Sequence, residues 1–264
     1  MLAIAAGFCS TFAAAQEEHG KSVDDLAKAA QNPVADMISL PFQNNFNFNV
    51  GPHKQLQNVL NIQPVVPITL NSEWNLITRW ITPVIAQPSL TVNGDSEFGL
   101  GDINPSFFFS PKKPTHGIIW GIGPTFVFPT GTDKTLTAGK YSAGPAFVAL
   151  AIEGPWVVGV LVNNVWSFAG KSNRSNVNAM TLQPFVNYNL PGGWYLTSSP
   201  IITANWTAGQ GDRWTVPIGG GFGRVFKIGS QPVNAQLAAY YNVAKPTGAA
   251  DWQLRAQVQF LFPK

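Results

Sequence analysis

The sequence predicts an all-β protein: a transmembrane antiparallel up-and-down β-barrel of about twelve strands, preceded by one short helix. Apolar and polar residues alternate along most of the chain after residue 38, which is the period of a β-strand with one apolar face. Short and long connections also alternate, and tryptophans gather beside both kinds. Charged residues form only 11% of the chain, whereas a soluble globular domain has about 25%. No basic run indicates binding to nucleic acid.

The first residues resemble an export signal. Residues 1–15 are apolar through Phe12 and end in three alanines, a small-residue cleavage pattern that predicts a signal peptide. They contain the single cysteine, Cys9, so we expect no disulfide in the mature chain. A lipid anchor on Cys9 is the alternative, but Phe8 precedes it where lipoproteins need a small residue.

Residues 16–37 are expected to form a periplasmic N-terminal segment with one short helix, and residues 38–264 the outer-membrane barrel. Ser22 can cap the helix, and Asn32-Pro33 stops it after Gln31. One face of this helix is apolar and consists of Val23, Leu26, Ala27 and Ala30. No stretch approaches the roughly 18 apolar residues of a membrane-spanning helix.

The last strand shows the alternation most clearly. Its apolar face comprises Trp252, Leu254, Ala256, Val258, Phe260 and Phe262. Gln253, Arg255, Gln257 and Gln259 take the other face, and only Leu261 breaks this polar set. The expected strands are, approximately, 39–50, 58–70, 74–87, 98–110, 118–129, 141–152, 156–168, 178–190, 194–206, 214–228, 233–243 and 252–262. Most exceed the ~9–11 residues with which a tilted strand crosses a bilayer.

The connections sort into two alternating classes. Mostly tight turns are expected at 71–73, 111–117, 153–155, 191–193 and 229–232. Mostly longer, polar loops are expected at 51–57, 88–97, 130–140, 169–177, 207–213 and 244–251. Outer-membrane barrels have short periplasmic turns and long extracellular loops. This pattern predicts that both termini are periplasmic.

The tryptophans provide a second, independent indication. Trp74, Trp120, Trp156 and Trp194 fall beside the short turns. Trp166, Trp206, Trp214 and Trp252 fall beside the long loops, and only Trp80 lies well inside a strand. Two such belts are typical of the two membrane interfaces. The alternative is a soluble sandwich in which tryptophans cover the ends of the core.

Four residues disturb the pattern. Strict alternation places Arg224 on the outer face, so either a bulge at the preceding glycines shifts the register or the membrane band ends before it. Pro64, Pro184 and Pro200 lie in mid-strand, where each forfeits a ladder hydrogen bond. We expect bulges or local irregularities there.

Charged and polar side chains on the inner face are the candidate functional residues. Arg79 and Arg255 alternate with outward apolar neighbours, and a charge in a membrane-spanning region must face water or a partner. They are expected either to line a pore or to form salt bridges with Asp102 or Glu153. The other pore-lining candidates are Asp102, Asn75, Gln63, Gln183, Asn187, Gln236 and Gln257. Because most of these are neutral, the lumen suits small, neutral or weakly polar solutes.

No motif indicates catalysis, a cofactor or a metal. The glycine-rich run at 218–223 lacks the lysine and the helix of a phosphate-binding loop, and indicates a bend or a close packing contact. His19, His53 and His116 are scattered, without metal-ligand spacing. We therefore expect no enzymatic activity, no metal and no cofactor.

Several stretches resemble a family of proteobacterial exported proteins that is often mislabelled "neuromedin U". The matching residues are Asn32-Pro33-Val34-Ala35, the stretch 38–45, the stretch 74–79, Gln231-Pro232-Val233-Asn234, Tyr240-Tyr241-Asn242-Val243, the stretch 251–255 and the ending Phe262-Pro263-Lys264. The family is akin to putative transporters of the phenol-degradation (MetA-pathway) family. The resemblance implies an outer-membrane, transporter-like barrel and carries over no catalytic residue. The terminal Phe260 and Phe262 also look like the signal that the barrel-assembly machinery reads.

These observations favour a channel or transporter-like barrel in the outer membrane that passes small, neutral or weakly polar solutes, which can include aromatic ones. Its expected partners are outer-membrane lipid, the barrel-assembly machinery and the solute. One alternative is a rim enzyme that acts on lipid, which requires a Ser/His/Asp cluster at the barrel mouth. Another is a structural barrel whose lumen is plugged by the helix. The low polarity of the inner face of 118–129 keeps that alternative open.

Overall fold

The computed structural model describes residues 22–263, so the predicted signal peptide and Lys264 lie outside the described residues. The first element is helix α1 (Val23–Ala30). The Ser22 hydroxyl accepts the Asp25 N–H at 3.1 Å, and the helix ends at Gln31. The short helix is therefore present where its capping residue and apolar face predict it.

Fifteen strand segments follow the helix. They are β1 (Ile38–Val50), β2 (Gln55–Ile62), β3 (Val65–Thr69), β4 (Trp74–Gln87), β5 (Glu97–Leu100), β6 (Asn104–Pro111), β7 (Ile118–Val127), β8 (Lys140–Glu153), β9 (Trp156–Gly170), β10 (Asn178–Asn189), β11 (Trp194–Ser198), β12 (Ile202–Asn205), β13 (Trp214–Ile228), β14 (Gln231–Ala244) and β15 (Trp252–Phe262). The pairs β2/β3, β5/β6 and β11/β12 are each one barrel strand with an interruption. The result is a closed antiparallel barrel of 12 strands, which confirms the predicted fold class.

The barrel closes between its first and last strands. β1 pairs with β15 from Ile38↔Phe262 to Phe48↔Trp252, and every other strand pairs with its neighbours in the sequence. Closure gives each strand a partner on both sides and leaves no free sheet edge. In the described part of the chain, no helix is long and apolar enough to span a membrane.

The two ends of the barrel differ in their connections. We call the end with the short connections, including 154–155 and 229–230, the turn end, and the opposite one the loop end. The loop end carries 88–96, 128–139, 171–177, 206–213 and 245–251, together with the tight connection 51–54. The chain enters and leaves the barrel at the turn end.

The prolines interrupt two strands and leave one intact. Pro64 lies between β2 and β3, and Pro200 lies between β11 and β12, because proline cannot donate to the ladder. Pro184 instead lies within a continuous β10, opposite Val160, so the irregularity expected there is absent. Arg224 does face outward, with its guanidinium 5.0 Å from the Trp194 ring centroid.

The outer face of the barrel is apolar and its inner face is mixed. Outward side chains such as Ile122 and Phe168 are 50% and 67% exposed, whereas inward Arg255 and Gln259 are buried. Trp156 and Trp194 are exposed near the turn end, and Trp166, Trp214 and Trp252 near the loop end. This arrangement matches the two belts that the sequence predicts.

The core lies inside the turn-end half of the barrel. Residues 22–37, which we call the plug segment, enter this half of the lumen. Leu26, Ala27 and Met37 of the plug segment form one buried cluster with Val225 and Leu261. The position of Leu261 in the otherwise polar face of β15 is thereby explained, because it packs against the helix.

A second buried cluster corrects the expectation of a polar inner face. Val34 of the plug segment packs among inward apolar residues of β4, β6, β8, β9 and β10, which are Ile77, Phe108, Ala146, Val148, Leu150, Val157, Leu161 and Phe185. These strands are apolar on the inside because their inner face covers protein here, not water.

Candidate functional site

The lumen is the candidate functional site, and the plug segment forms its floor. Polar contacts fix this floor to the turn end. The Gly193 N–H donates to Asp24 Oδ1 at 2.7 Å. The side-chain amides of Gln31 and Asn189 donate to one another's oxygens at 2.9 and 3.2 Å. A neutral hydrogen bond contributes roughly 0.5–1.5 kcal/mol and one to a charged group about 1.5–3 kcal/mol, and the two buried apolar clusters hold the plug in addition.

Above the plug lies a space of about 150 Å³, the inner cavity. Most of the pore-lining candidates surround it: Gln63, Arg79, Gln183, Asn187, Gln236, Arg255 and Gln257. The plug segment contributes Gln31, Asn32 and Met37. Strict alternation brings these residues together, because the polar set of each strand points to the same side of a closed sheet.

Two of the candidates lie elsewhere. Asn75 is buried beside the turn end of β4, and its Oδ1 has no hydrogen-bond partner among the described residues. Asp102 lies in the interruption between β5 and β6, where it leaves the alternation. Its carboxylate accepts the N–H groups of Gly131 at 3.1 Å and Ala138 at 2.8 Å. Asp102 therefore anchors the long connection 128–139.

Arg255 forms a constriction across the lumen. Its guanidinium donates to Asn45 Oδ1 at 3.3 Å, to the Ser199 carbonyl at 2.9 Å and to Gln253 Oε1 at 3.2 Å. It also lies 4.7 Å from the centroid of the Tyr240 ring. All three nitrogens are thus engaged by neutral groups, which fixes the position of the charge.

The interruption of the sheet at Pro200 supplies the opposite side of the constriction. Because Ser199 has left the ladder, its N–H donates to the Tyr240 hydroxyl at 3.1 Å. The Gln183 side chain donates to Ser199 Oγ at 2.7 Å. A strand break that the sequence shows only as a mid-strand proline therefore becomes part of the site.

Beyond Arg255 lies a second space of about 400 Å³, the outer cavity, at the loop end. Arg255 lines both cavities, so it separates one from the other. The connection 245–251 covers the outer cavity, and Gly248 O accepts the Gly51 N–H at 2.8 Å.

Two carboxylates hold this connection in place. Asp251 pairs with Lys245 at 2.8 Å, and this contact, together with the Asn49 amide, lowers the pKa of the Asp251 carboxyl below its ordinary value. Asp212 accepts the Thr247 N–H at 2.7 Å, which lowers the pKa of the Asp212 carboxyl likewise. Both carboxyls are therefore ionised at neutral pH.

The charged side chains that line the two cavities are all positive. Arg79 and Arg255 line the inner cavity, and neither cavity is lined by an Asp or Glu of the described chain. Arg79 donates to Gln63 Oε1 at 2.6 Å. The described hydrogen bonds of both arginines thus go to neutral groups, and the expected salt bridges to Asp102 or Glu153 are not formed.

Sequence reasoning missed Ser199 and Asn45, and it considered a helix inside the lumen only as the alternative of a plugged structural barrel. Tyr240 lies on the face of β14 that alternation assigns to the lumen. An aromatic residue in this polar set is the one feature of β14 that could have indicated the constriction at Arg255. Within the described residues, no group of three or more His, Cys, Asp or Glu could hold a metal ion. His53 Nε2 lies 3.0 Å from the Val92 carbonyl in the loops.

Comparison with solved structures supports the architecture. The chain is similar to an outer membrane channel from Pseudomonas putida F1, with a TM-score of 0.64 and 14% identity over 86% of this chain and 94% of that one. At this identity the likeness shows the fold alone. No family model matches the chain, and no curated protein matches it.

Two further structures are more distant. The CymD monoaromatic hydrocarbon channel has a TM-score of 0.47 and 10% identity, covering 92% of this chain and 91% of that one. Outer membrane phospholipase A from Escherichia coli has a TM-score of 0.45 and 14% identity, covering 90% and 98%.

Proposed function

We propose that this protein is an outer-membrane channel that passes small, neutral or weakly polar solutes. The observation that carries this proposal is a barrel with an apolar outer face whose inside holds two partly polar cavities, both lined by Arg255. Hydrocarbon requires a closed sheet and an apolar exterior, and amides inside the barrel can replace the water around a passing solute.

The size of the inner cavity limits the solute. A void of about 150 Å³ accommodates a molecule the size of benzene. The side chains around it combine amides with the apolar surfaces of Leu161 and Phe185. Such a lining suits solutes with both an apolar body and a polar group, which agrees with the solute class that the sequence predicts.

The orientation follows from the connections. Long connections are extracellular in outer-membrane barrels, so the loop end would face outward, and the plug and both termini would face the periplasm. The terminal β15 would be the strand presented to the barrel-assembly machinery, and residues 1–15 the signal that exports the chain. The resemblance to exported proteins often mislabelled "neuromedin U" supports the same placement.

A structural barrel with a filled lumen is the second candidate, because the plug segment occupies the turn-end half. Swelling of proteoliposomes in isotonic solutions of neutral solutes of increasing size separates the two. The channel predicts fast swelling with solutes near the size of benzene derivatives and slow swelling with disaccharides. No swelling with any solute, from a preparation whose barrel shows heat-modifiable migration, would favour the structural barrel.

A rim enzyme has weaker support. It requires a nucleophile and a base within hydrogen-bonding distance at the barrel mouth. In the described loops, His53 lies 3.0 Å from the Val92 carbonyl, and no His–Ser contact accompanies it. We therefore propose transport without catalysis.

A further inference from the structure

The inner cavity contains an arginine with unused donors. Arg79 Nη2 donates to Gln63 Oε1, and this is its one described hydrogen bond. Buried side-chain nitrogens without a partner do occur in the described chain, at Arg213 Nε, but none belongs to Arg79. The remaining nitrogens of Arg79 are therefore accessible from the cavity that this residue lines.

Arg79 and Arg255 differ in how many of their guanidinium nitrogens donate a described hydrogen bond. Every nitrogen of Arg255 has an acceptor, so Arg255 contributes a fixed positive charge. Arg79 contributes a charge and two nitrogens, Nε and Nη1, that donate no described hydrogen bond. Planar guanidinium edges bind carboxylates through two parallel hydrogen bonds.

The positive charges of Arg79 and Arg255 have no acidic partner in the described lining of the inner cavity. No Asp or Glu of the described residues lines it, although buried charges in proteins are normally paired. Leu161, Phe185 and Val65 provide an apolar wall in the same space. A ligand that satisfies both features has one negative group and a small apolar body.

We propose that the inner cavity is a binding site for a small organic monocarboxylate, with the carboxylate on Arg79 and the apolar body against Phe185 and Leu161. This inference rests on the proposed channel function and extends its solutes from neutral and weakly polar molecules to small organic anions. The cavity volume of about 150 Å³ corresponds to a single benzene ring. Aromatic acids of one ring, and short aliphatic acids, belong to this class.

The chain offers a matched control for the test. Arg224 is also an arginine of the barrel wall, but it lies on the outer face beside Trp194. Arg224→Gln removes the same charge as Arg79→Gln without changing the lumen. Arg79→Lys keeps the charge and loses the forked geometry, so it is the variant that preserves the electrostatics of the fold.

Isothermal titration calorimetry of the full chain in detergent at neutral pH, with sodium benzoate and with benzyl alcohol, tests the proposal. We expect benzoate to bind at least about ten-fold more tightly than benzyl alcohol, since a charge-assisted pair is worth a factor of this order. Arg79→Gln should remove this preference, Arg79→Lys should reduce it, and Arg224→Gln should leave it unchanged.

Equal binding of the two ligands, absence of benzoate binding, or unchanged benzoate affinity in Arg79→Gln would each overturn the proposal. Solute-dependent swelling of liposomes containing the same preparations separates this failure from that of the channel itself. If the liposomes swell but benzoate has no preference, the channel stands and the acid site does not. If they do not swell, the proposed function fails first.

Discussion

The two halves of the lumen are built from the same strands but contain different chemistry. The turn-end half is filled, because Leu26 and Val34 of the plug segment pack against inward apolar side chains. The loop-end half is open in that it leads into the cavities, which are lined by amide side chains and Arg255 together with apolar residues. The inner face of a strand therefore changes character along its length, according to whether it covers protein or water. Closure of the barrel alone does not determine what its lumen can do.

A charge on the buried face of helix α1 should have the largest effect on the filled half, because it should undock the plug segment. Leu26→Asp places a carboxylate at a position that is 1% exposed, and we expect it to destabilise docking of the plug by roughly 3–5 kcal/mol. The plug should then undock while the barrel stays closed. Trypsin should cleave after Lys28 much faster than in the wild type. Asp25→Ala, on the exposed side of the same helix, is the control, and equal cleavage rates in both variants would contradict the docking.

The open half is most directly altered at its constriction. Arg255→Gln removes the charge between the two cavities, so the reversal potential in a salt gradient should shift from anion preference towards neutrality. The wild-type preference follows from the absence of acidic residues of the described chain around either cavity. Arg224→Gln on the outer face should not shift the potential. A cation-selective wild type would contradict this assignment of charge.

A smaller effect is expected at Tyr240. Tyr240→Phe keeps the ring beside Arg255 and removes the oxygen that accepts the Ser199 N–H. Leaving that donor without its partner costs roughly 1–3 kcal/mol. Hydrogen exchange of the Ser199 amide should become about ten-fold faster or more, whereas the amide of Val148 in β8, a strand that pairs with neither β11 nor β12, should be unaffected. Unchanged exchange at Ser199 would show that Tyr240 does not hold the strand break.

The smallest effect concerns the cover of the outer cavity and depends on pH. The folded-state pKa values of Asp212 and Asp251 lie below the ordinary value of 3.8. Their contribution to stability is therefore present above the unfolded pKa of about 3.9 and is lost as the pH falls through the lower folded-state values. Exchange of the Thr247 amide, corrected for the intrinsic rate, should accelerate only in this acidic range. Acceleration near neutral pH would contradict the role of the carboxylates.

The walls could be predicted from the sequence because their signal is local. The period of two, the alternating connections and the tryptophan belts place strands such as β4, β13 and β15 at the bounds that the structure has. Gln63, Gln183 and Arg255 follow from the same alternation, since each polar set of a closed sheet points inward. Chain closure then brings these residues together without further information.

The contents of the barrel could not be predicted in this way. Docking of Val34 and Leu26 depends on contacts between distant parts of the chain, and alternation does not show which part of an inner face will be covered. The one sequence feature that indicated this docking was Leu261, the single apolar residue in the polar inner face of β15, which packs against the helix. Alternation wrongly placed Asp102 on the inner face. Asp102 lies in a strand interruption, where alternation does not apply, and its carboxylate binds the connection 128–139 instead.

Single-channel conductance in planar bilayers measures whether this barrel is a channel with one plugged and one open half. Wild-type protein should produce small discrete steps, and Leu26→Asp should produce larger ones because the floor of the inner cavity is released. Heat-modifiable migration of both preparations confirms that the barrels are folded. Silence of both proteins at all voltages would mean that the barrel is not a channel, and steps of equal size would mean that the plug does not narrow it.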